Sequence, residues 1–183
     1  DAMGLLILDS YATRIRSTEG ILFMDTFRIR GAQGVDRETL LSRRQLLIDA
    51  VEAVFANKMG SDALNRMVLM AGMSWTEVDI LRAYLRYGRQ LQVKLSEERA
   101  IEITLRNPET TRRVLSLFKV RFDPDLEADR DAAMAQAEEA LSDAQRQITT
   151  HDEDLLFRSL REAVLATMRT NAYRTDRVRH YLS

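Results

Sequence analysis

The sequence predicts a mainly α protein: a bundle of about seven helices preceded by a short β-hairpin or three-strand remnant. Three observations lead there. Residues 3–30 are rich in β-branched and aromatic side chains at strand spacing, while apolar residues recur at i, i+3, i+4 and i+7 from residue 36 onward. Between them lies Gly31-Ala32-Gln33-Gly34, the one glycine-paired linker in the chain. This sets the expected boundaries, a β remnant over residues 1–34 and a helical bundle over 35–183. A chain of 183 residues is long enough to bury a sizeable core without disulfide or metal staples.

Taken in order, Leu5-Leu6-Ile7-Leu8 is a short apolar strand, and Tyr11, Thr13 and Ile15 share one face of a second. Phe23, Phe27 and Ile29 belong to a third, joined to the second through Ser17-Thr18-Glu19-Gly20, where glycine supplies the positive φ of a hairpin connection. Two or three strands are not stable alone, so they require more sheet from elsewhere. Asp36 is the N-cap of a helix to about Asn57 whose inner face carries Leu40, Leu47, Val51, Val54 and Phe55. Ser61 or Asp62 opens a second helix, with Leu64, Met67, Val68 and Ala71 inward and Gly72 as its C′ residue.

Ser74-Trp75-Thr76-Glu77 is a capping box that starts a third helix reaching about Gln92. Val78, Ile80, Leu81, Tyr84, Leu85, Tyr87 and Leu91 cover most of its circumference, which places it mid-bundle; Asp79, Arg82, Arg86 and Arg89 form its polar stripe. Ser96 caps a shorter helix carrying Ile101 and Leu105. Asn107-Pro108 sets N-cap and N1 of the next, with Thr111, Val114, Leu115, Phe118 and Phe122 inward, and Asp123-Pro124 stops it. A helix over 126–148 has an inner stripe of Ala133, Ala137, Ala140, Leu141, Ala144 and Ile148. Thr150-His151-Asp152-Glu153 opens the last, with Leu156, Leu160, Val164 and Met168 inward. These last two are expected to pair as a long αα-hairpin.

Several function classes drop out. Zero cysteines exclude a disulfide framework, a thiol nucleophile and cysteine-ligated metal sites. Seven glycines at 4, 20, 31, 34, 60, 72 and 88 build neither a G-x-G-x-x-G fingerprint nor a P-loop. His151 and His180 lack metal-ligand spacing, and no serine lies in a G-x-S-x-G elbow, so no catalytic, cofactor or metal residue is assigned. No apolar run approaches the roughly 20 residues of a membrane span. The chain opens abruptly on a strand-like run, as a fragment would, with neither a basic region nor a secretion signal. The composition reads as soluble and intracellular.

Charge is uneven: residues 123–154 sum to −9 and residues 82–122 to +6, against −1 for the whole chain. Mutual attraction within one bundle is the simplest use of that asymmetry. The Arg82 stripe is accordingly read as a seam paired to carboxylates of a neighbouring helix rather than a nucleic-acid face, and Met59, Met67, Met70 and Met73 as core filling rather than a promiscuous groove. The acidic start of the 126–148 helix and His151 are read as solvated helix-start groups.

The stretch Asn65-Arg66-Met67-Val68-Leu69-Met70-Ala71-Gly72-Met73-Ser74-Trp75-Thr76-Glu77-Val78, with Leu81-Arg82-Ala83-Tyr84, resembles a segment of the very large bacterial NAD-dependent glutamate dehydrogenases. Leu117-Phe118, Arg121-Phe122-Asp123-Pro124, then Asp152-Glu153-Asp154 and Ala166-Thr167-Met168-Arg169-Thr170-Asn171, are similar to later motifs of that family in the same order. The match spans about residues 60–173; Gly4-Leu5, Ile7-Leu8-Asp9 and Asp25-Thr26-Phe27 look like the tail of its last ACT-type regulatory domain. Departures are methionine for leucine at 67, 73 and 168, a volume-conserving change, and Ala172 in place of an aromatic.

The resemblance implies a non-catalytic linker between regulatory and catalytic domains. The parent would be cytoplasmic and convert L-glutamate and NAD to 2-oxoglutarate, ammonia and NADH, in amino-acid metabolism. The catalytic residues would lie after Tyr181-Leu182-Ser183, so the segment itself would be inactive and hold no cofactor. Its partners would be the remaining domains of the parent, with a homo-oligomer possible and neither nucleic acid nor membrane. Asn65, Arg66, Arg82, Arg121, Arg169, Thr170 and Asn171 are the structural or interdomain candidates. The alternative is a stand-alone helix-bundle adaptor that binds a partner helix.

Overall fold

The computed structural model describes residues 2–18, 20–32, 34–90 and 95–174, with the side chains of 89 and 90 left aside. It is mainly helical with an N-terminal two-stranded ribbon. β1 (Leu5–Ser17) and β2 (Gly20–Gly31) pair antiparallel from Leu5↔Gly31 to Ser17↔Gly20. The two short strands expected before Arg16 are one. A bulge between Ile7 and Asp9 absorbs the extra residue, so the ladder continues without a break. Gly20 takes φ 142°, the left-handed side expected at the turn. At the ribbon's base the Ala32 amide donates to Gly4 O (2.7 Å), and the chain folds so tightly that a Cβ on Gly31 would lie 2.0 Å from Val35 O.

The first expected helix is two, α1 (Arg37–Ser42) and α2 (Arg44–Phe55), which raises the count among the described residues to eight. Asp36 caps α1 by accepting from Thr39 N at 2.8 Å, and Asn57 ends α2 in the left-handed conformation (φ 54°). The break falls at Arg43, whose guanidinium donates to Leu69 O and lies against Gly72. The inner face expected from Leu40, Leu47, Val51, Val54 and Phe55 is corrected by that break. Ala50 and Ala53 are buried instead, Val54 only partly, and Phe55 is 84% exposed. The second helix is a 3₁₀ turn (Ala63–Arg66) followed by α3 (Met67–Met70), ended by Gly72 at φ 65° as expected.

α4 (Trp75–Gln90) starts on the Ser74 capping box: Ser74 N donates to Glu77 Oε2 (2.6 Å) and Glu77 N to Ser74 Oγ (3.3 Å). Val78, Ile80, Leu81, Tyr84 and Leu85 are buried, and α4 touches α2, α3, α5 and α8, which bears out its place in mid-bundle. Its expected continuation to Leu91 and Gln92, and the Arg89 side chain, lie outside the described residues. α5 (Glu97–Arg106) is capped by Ser96. α6 (Pro108–Phe122) follows with proline in its first turn. Asn107 stands at the N-cap but does not cap; its amide donates to Ile103 O (3.0 Å) and Glu153 Oε1 (3.1 Å), tying the α5–α6 elbow to α8.

α7 (Arg130–Gln145) begins four residues later than expected, at an Asp129 cap, because residues 123–129 form the turn out of α6. Arg130 closes that turn by donating to Val120 O (2.6 Å), Arg121 O (2.9 Å) and Asp123 O (2.7 Å), the carbonyls that α6 leaves open at its C-terminus. α7 therefore packs chiefly along α6, and α8 (His151–Ala166) on α4 and α6. The expected α7–α8 hairpin is corrected accordingly; those helices meet through the Arg161–Glu138 ion pair. On α7 only Leu141 is fully buried, and the alanine stripe is half-covered. α8 stops at Ala166 with Thr167 extended, so Met168, expected inward, is 80% exposed. No described helix is long and apolar enough to cross a membrane.

Candidate functional site

The motif residues gather at two clasps that hold the bundle, plus a segment leaving α8. The first clasp is built around Arg82. Its position in α4 turns the side chain inward at 4% exposure. Nε and Nη2 donate to Asp62 Oδ2 (2.7 Å) and Oδ1 (3.0 Å), Nη1 to Asp79 Oδ1 (2.6 Å), and Nη2 also to Asn65 Oδ1 (2.8 Å). Asn65, fully buried, passes the connection on by donating from Nδ2 to Gly60 O (2.9 Å). Asp62 additionally caps the 3₁₀ turn by accepting from Leu64 N (3.0 Å). Burial pushes the Asp62 carboxyl up, but the Arg82 hydrogen bonds and charge outweigh it and hold the group below its ordinary value. The same carboxylates outweigh burial at Arg82 and raise the guanidinium.

Of the stripe expected to pair with a neighbouring helix, Arg82 is paired, but to Asp62 at the cap of the 3₁₀ turn and to Asp79 on its own helix. Arg86, one turn on, is exposed. Met59, Met67 and Met73 are buried as core filling, whereas Met70, expected with them, is only partly buried.

The second clasp closes the far end of α8. Arg121, from the last turn of α6, donates to Thr167 O from Nη2 (3.2 Å) and Nε (3.4 Å), satisfying a terminal carbonyl of α8 with a cation. Thr167 Oγ1 donates to Ala163 O (2.7 Å) and meets the buried Tyr84 hydroxyl at 3.0 Å. Tyr84 packs edge-on against Phe118 (5.8 Å), which in turn contacts Phe122 (5.0 Å) and stacks on Tyr173 (6.3 Å, 10°). Burial raises the Tyr84 phenol to about 12, and Tyr173 reaches about 12 through burial and the nearby Asp123 and Glu77 charges.

The other candidates stand apart from these clasps. The Arg66 stem lies 3.5 Å from where a Gly4 Cβ would be, so it bridges the ribbon's base and the bundle. Arg169 is exposed, while Thr170 and Asn171 are half-buried on the segment after α8. There Thr170 Oγ1 accepts from Ala172 N (3.1 Å), and Ala172 itself is buried. Thr167, inside the motif yet absent from the seven candidates, is bonded to Tyr84, Arg121 and Ala163. Its hydroxyl partner Tyr84 lies 83 positions away, a pairing that no local spacing announces.

An open groove of about 920 Å³ runs between the end of α2, the start of α4, α6 and residues 172–174. Trp75, Leu115, Phe118 and Tyr173 supply its apolar lining, and Glu77 and Lys119 pair across it at 2.5 Å. Burial acts to raise the Glu77 carboxyl; Lys119 and the Ser74 amide more than offset this and hold it low. Among the described residues no group of three His, Cys, Asp or Glu side chains is placed to hold a metal ion. Arg82 and Arg121 act as clasps, the first met by carboxylates and the second by the end of a helix.

Comparison with known proteins agrees with the motifs. Residues 59–124 match the family model for glutamate dehydrogenase, helical motif 3, a stretch that contains Asn65, Arg66, Arg82 and Arg121. The chain is 28% identical over 179 residues to the NAD-specific glutamate dehydrogenase of Halomonas elongata, covering 97% of this chain and 11% of that protein. It is 29% identical over 178 residues to the enzyme of the same name from Pseudomonas aeruginosa, and 27% over 183 residues to that of Mycobacterium tuberculosis, each alignment covering 95% of this chain. The chain spans 11% of the length of each of these relatives. It is similar, over nearly all of its length, to an internal segment of NAD-specific glutamate dehydrogenases.

Proposed function

We propose that this chain is a non-catalytic helical segment of a large NAD-dependent glutamate dehydrogenase, set between regulatory and catalytic domains. The observation that carries the reading is the alignment of 95–97% of the chain within 11% of NAD-specific enzymes. The parent would be cytoplasmic and oxidise L-glutamate to 2-oxoglutarate and ammonia with hydride transfer to NAD, its catalytic groups lying elsewhere in the polypeptide. The ribbon over residues 5–31 would then be the end of an ACT-type regulatory domain, with the remaining domains of the parent as partners.

The division of labour among the motif residues supports this reading. Asn65, Arg82 and Arg121 turn inward and keep the bundle rigid, as a spacer requires. Arg66 sits between ribbon and bundle, and Arg169, Thr170 and Asn171 leave α8 toward whatever follows; we assign these four to interdomain contact. The adaptor alternative drew on a methionine-lined groove, and the burial of Met59, Met67 and Met73 removes that support.

Two measurements test the proposal together. The purified 183-residue chain should form no NADH from glutamate and NAD, and an antibody against it should detect, in source cells, a polypeptide many times larger than 21.0 kDa. Glutamate-dependent NADH formation by the chain, or a native band at its own size, overturns it.

A further inference from the structure

Every described residue of the ribbon from Ser10 to Arg30 is exposed, and its two faces are not alike. The register sets the pairs Ser10↔Phe27, Ala12↔Asp25, Arg14↔Phe23 and Arg16↔Ile21 on one face of the outer half. Phe23 is 71% exposed there, Ile21 56% and Phe27 53%. Among these apolar groups stand two opposite charges, Asp25 and Arg14, one pair apart and on different strands. Neither has an ion-pair partner among the described residues. The opposite face carries Tyr11, Leu22 and Met24, but its carboxylate, Asp9, is already paired to Arg28.

We propose that the Phe23 face of the ribbon is a two-fold interface between copies of this chain. With the axis between the Ala12↔Asp25 and Arg14↔Phe23 pairs, each of these pairs lies over the other one of the second copy. Asp25 of one copy then sits beside Arg14 of the other, and the contact occurs twice, as an isologous interface requires. Phe23, Phe27 and Ile21 surround the two ion pairs with apolar surface and keep water from them. The ribbons run in opposite directions under this axis. The bundles, which follow the base of each ribbon, therefore stand at opposite ends and do not collide.

The size of the patch suits a second copy. At their exposures the two phenylalanines bring on the order of 250 Å² of aromatic surface per copy. Ile21 and the stems of Arg14 and Arg16 carry the patch toward the ~600 Å² per partner at the low end of stable interfaces. A flanking segment of a longer polypeptide could cover the same apolar area. The placing of Asp25 and Arg14 about one point, however, is what two-fold pairing uses and what a one-sided cover does not need. The inference does not depend on the family reading, since the partner is the chain itself.

Sedimentation equilibrium of the 183-residue chain at low salt reads the association, expected as a monomer–dimer equilibrium in the micromolar range. Asp25→Arg and Arg14→Asp should each weaken it by about tenfold or more, because each sets like charges together at both contacts. Mixed in equal amounts, the two variants should associate with each other, since opposite signs then meet at both contacts. That recovery also shows that both variants fold. Leu22→Ser and Met24→Ser, on the other face, should leave the dissociation constant within about twofold.

The chain contains no cysteine, so Ala12→Cys reports on the same face at either length. A short bismaleimide should join it to its counterpart in the 183-residue chain and in the full-length polypeptide, with the cross-linked peptide identified by mass. Thr13→Cys, on the opposite face, should not be joined. A chain that stays monomeric at every concentration overturns the proposal, as do charge reversals that have no effect or no recovery on mixing. Cross-linking through Thr13→Cys instead of Ala12→Cys overturns it as well. Protection of the Phe23 face in the full-length polypeptide without cross-linking assigns that face to flanking chain and also overturns it, while the family reading stands on its alignments.

Discussion

Replacing Arg82 by methionine isolates what the first clasp contributes. Methionine keeps the apolar stem and removes the cation with its four hydrogen bonds to Asp62, Asp79 and Asn65. Asn65 is fully buried, so its Oδ1 would be left without its partner, a loss of about 1–3 kcal/mol. Asp62 and Asp79 keep side-chain exposures of 33% and 22% and can rehydrate in part. The total should therefore fall somewhat short of the ~3–5 kcal/mol typical of breaking a fully buried pair, at about 2–4 kcal/mol. That is a large share of the ~5–15 kcal/mol that stabilises an ordinary domain.

Urea unfolding of the chain at pH 7 reads this directly, with Arg86→Met on the exposed side of α4 as a control expected within about 0.5 kcal/mol of the original. The pH dependence adds an independent check. The folded Asp62 carboxyl lies below its ordinary 3.8, so its contribution is present above that value and is lost as pH falls through the lower folded one. Arg82→Met should flatten that acid-side loss. Asn65→Leu combined with Arg82→Met should cost less than the two singles summed, since the orphaned amide is gone. An Arg82→Met chain as stable as the original, with the same acid profile, would refute the claim that this clasp holds α4 to the 60–66 turn.

Tyr84→Phe should lose the 3.0 Å contact with Thr167 and about 0.5–1.5 kcal/mol, read by thermal unfolding. Because burial raises the Tyr84 phenol to about 12, the chain should lose stability as pH rises above 10, where the unfolded state already releases that proton. The variant should lose less over the same range, and an identical alkaline profile counts against the burial argument. Gly31→Ala should cost about 1–3 kcal/mol and quicken exchange of the Ala32 amide, since its Cβ would sit 2.0 Å from Val35 O; unchanged exchange there would show that the turn can yield.

The local grammar of the chain was legible without coordinates. Capping residues such as Asp36, Ser74, Ser96 and Thr150 act on amides two or three positions away, so adjacency in sequence is adjacency in space. Gly72 and Gly20 were readable for the same reason, since a left-handed turn is a property of one residue. The apolar period of α4 was enough to place it mid-bundle, and the motif residues pointed to the family that the comparisons then matched.

What escaped was decided by groups far apart along the chain. The break at Arg43 depends on a carbonyl 26 positions on, and it turned the buried face of α2 from Phe55 to Ala50 and Ala53. α7 took α6 as its neighbour because Arg130 reaches back to the open carbonyls at the end of α6, an outcome that helical period alone leaves undecided. The Tyr84–Thr167 contact joins residues 83 apart, and neither residue type advertises a partner. Periodicity specifies which face of a helix is apolar; which neighbour that face meets is chosen by shape and by the few polar groups that must be satisfied at once, and those exist only in the folded chain.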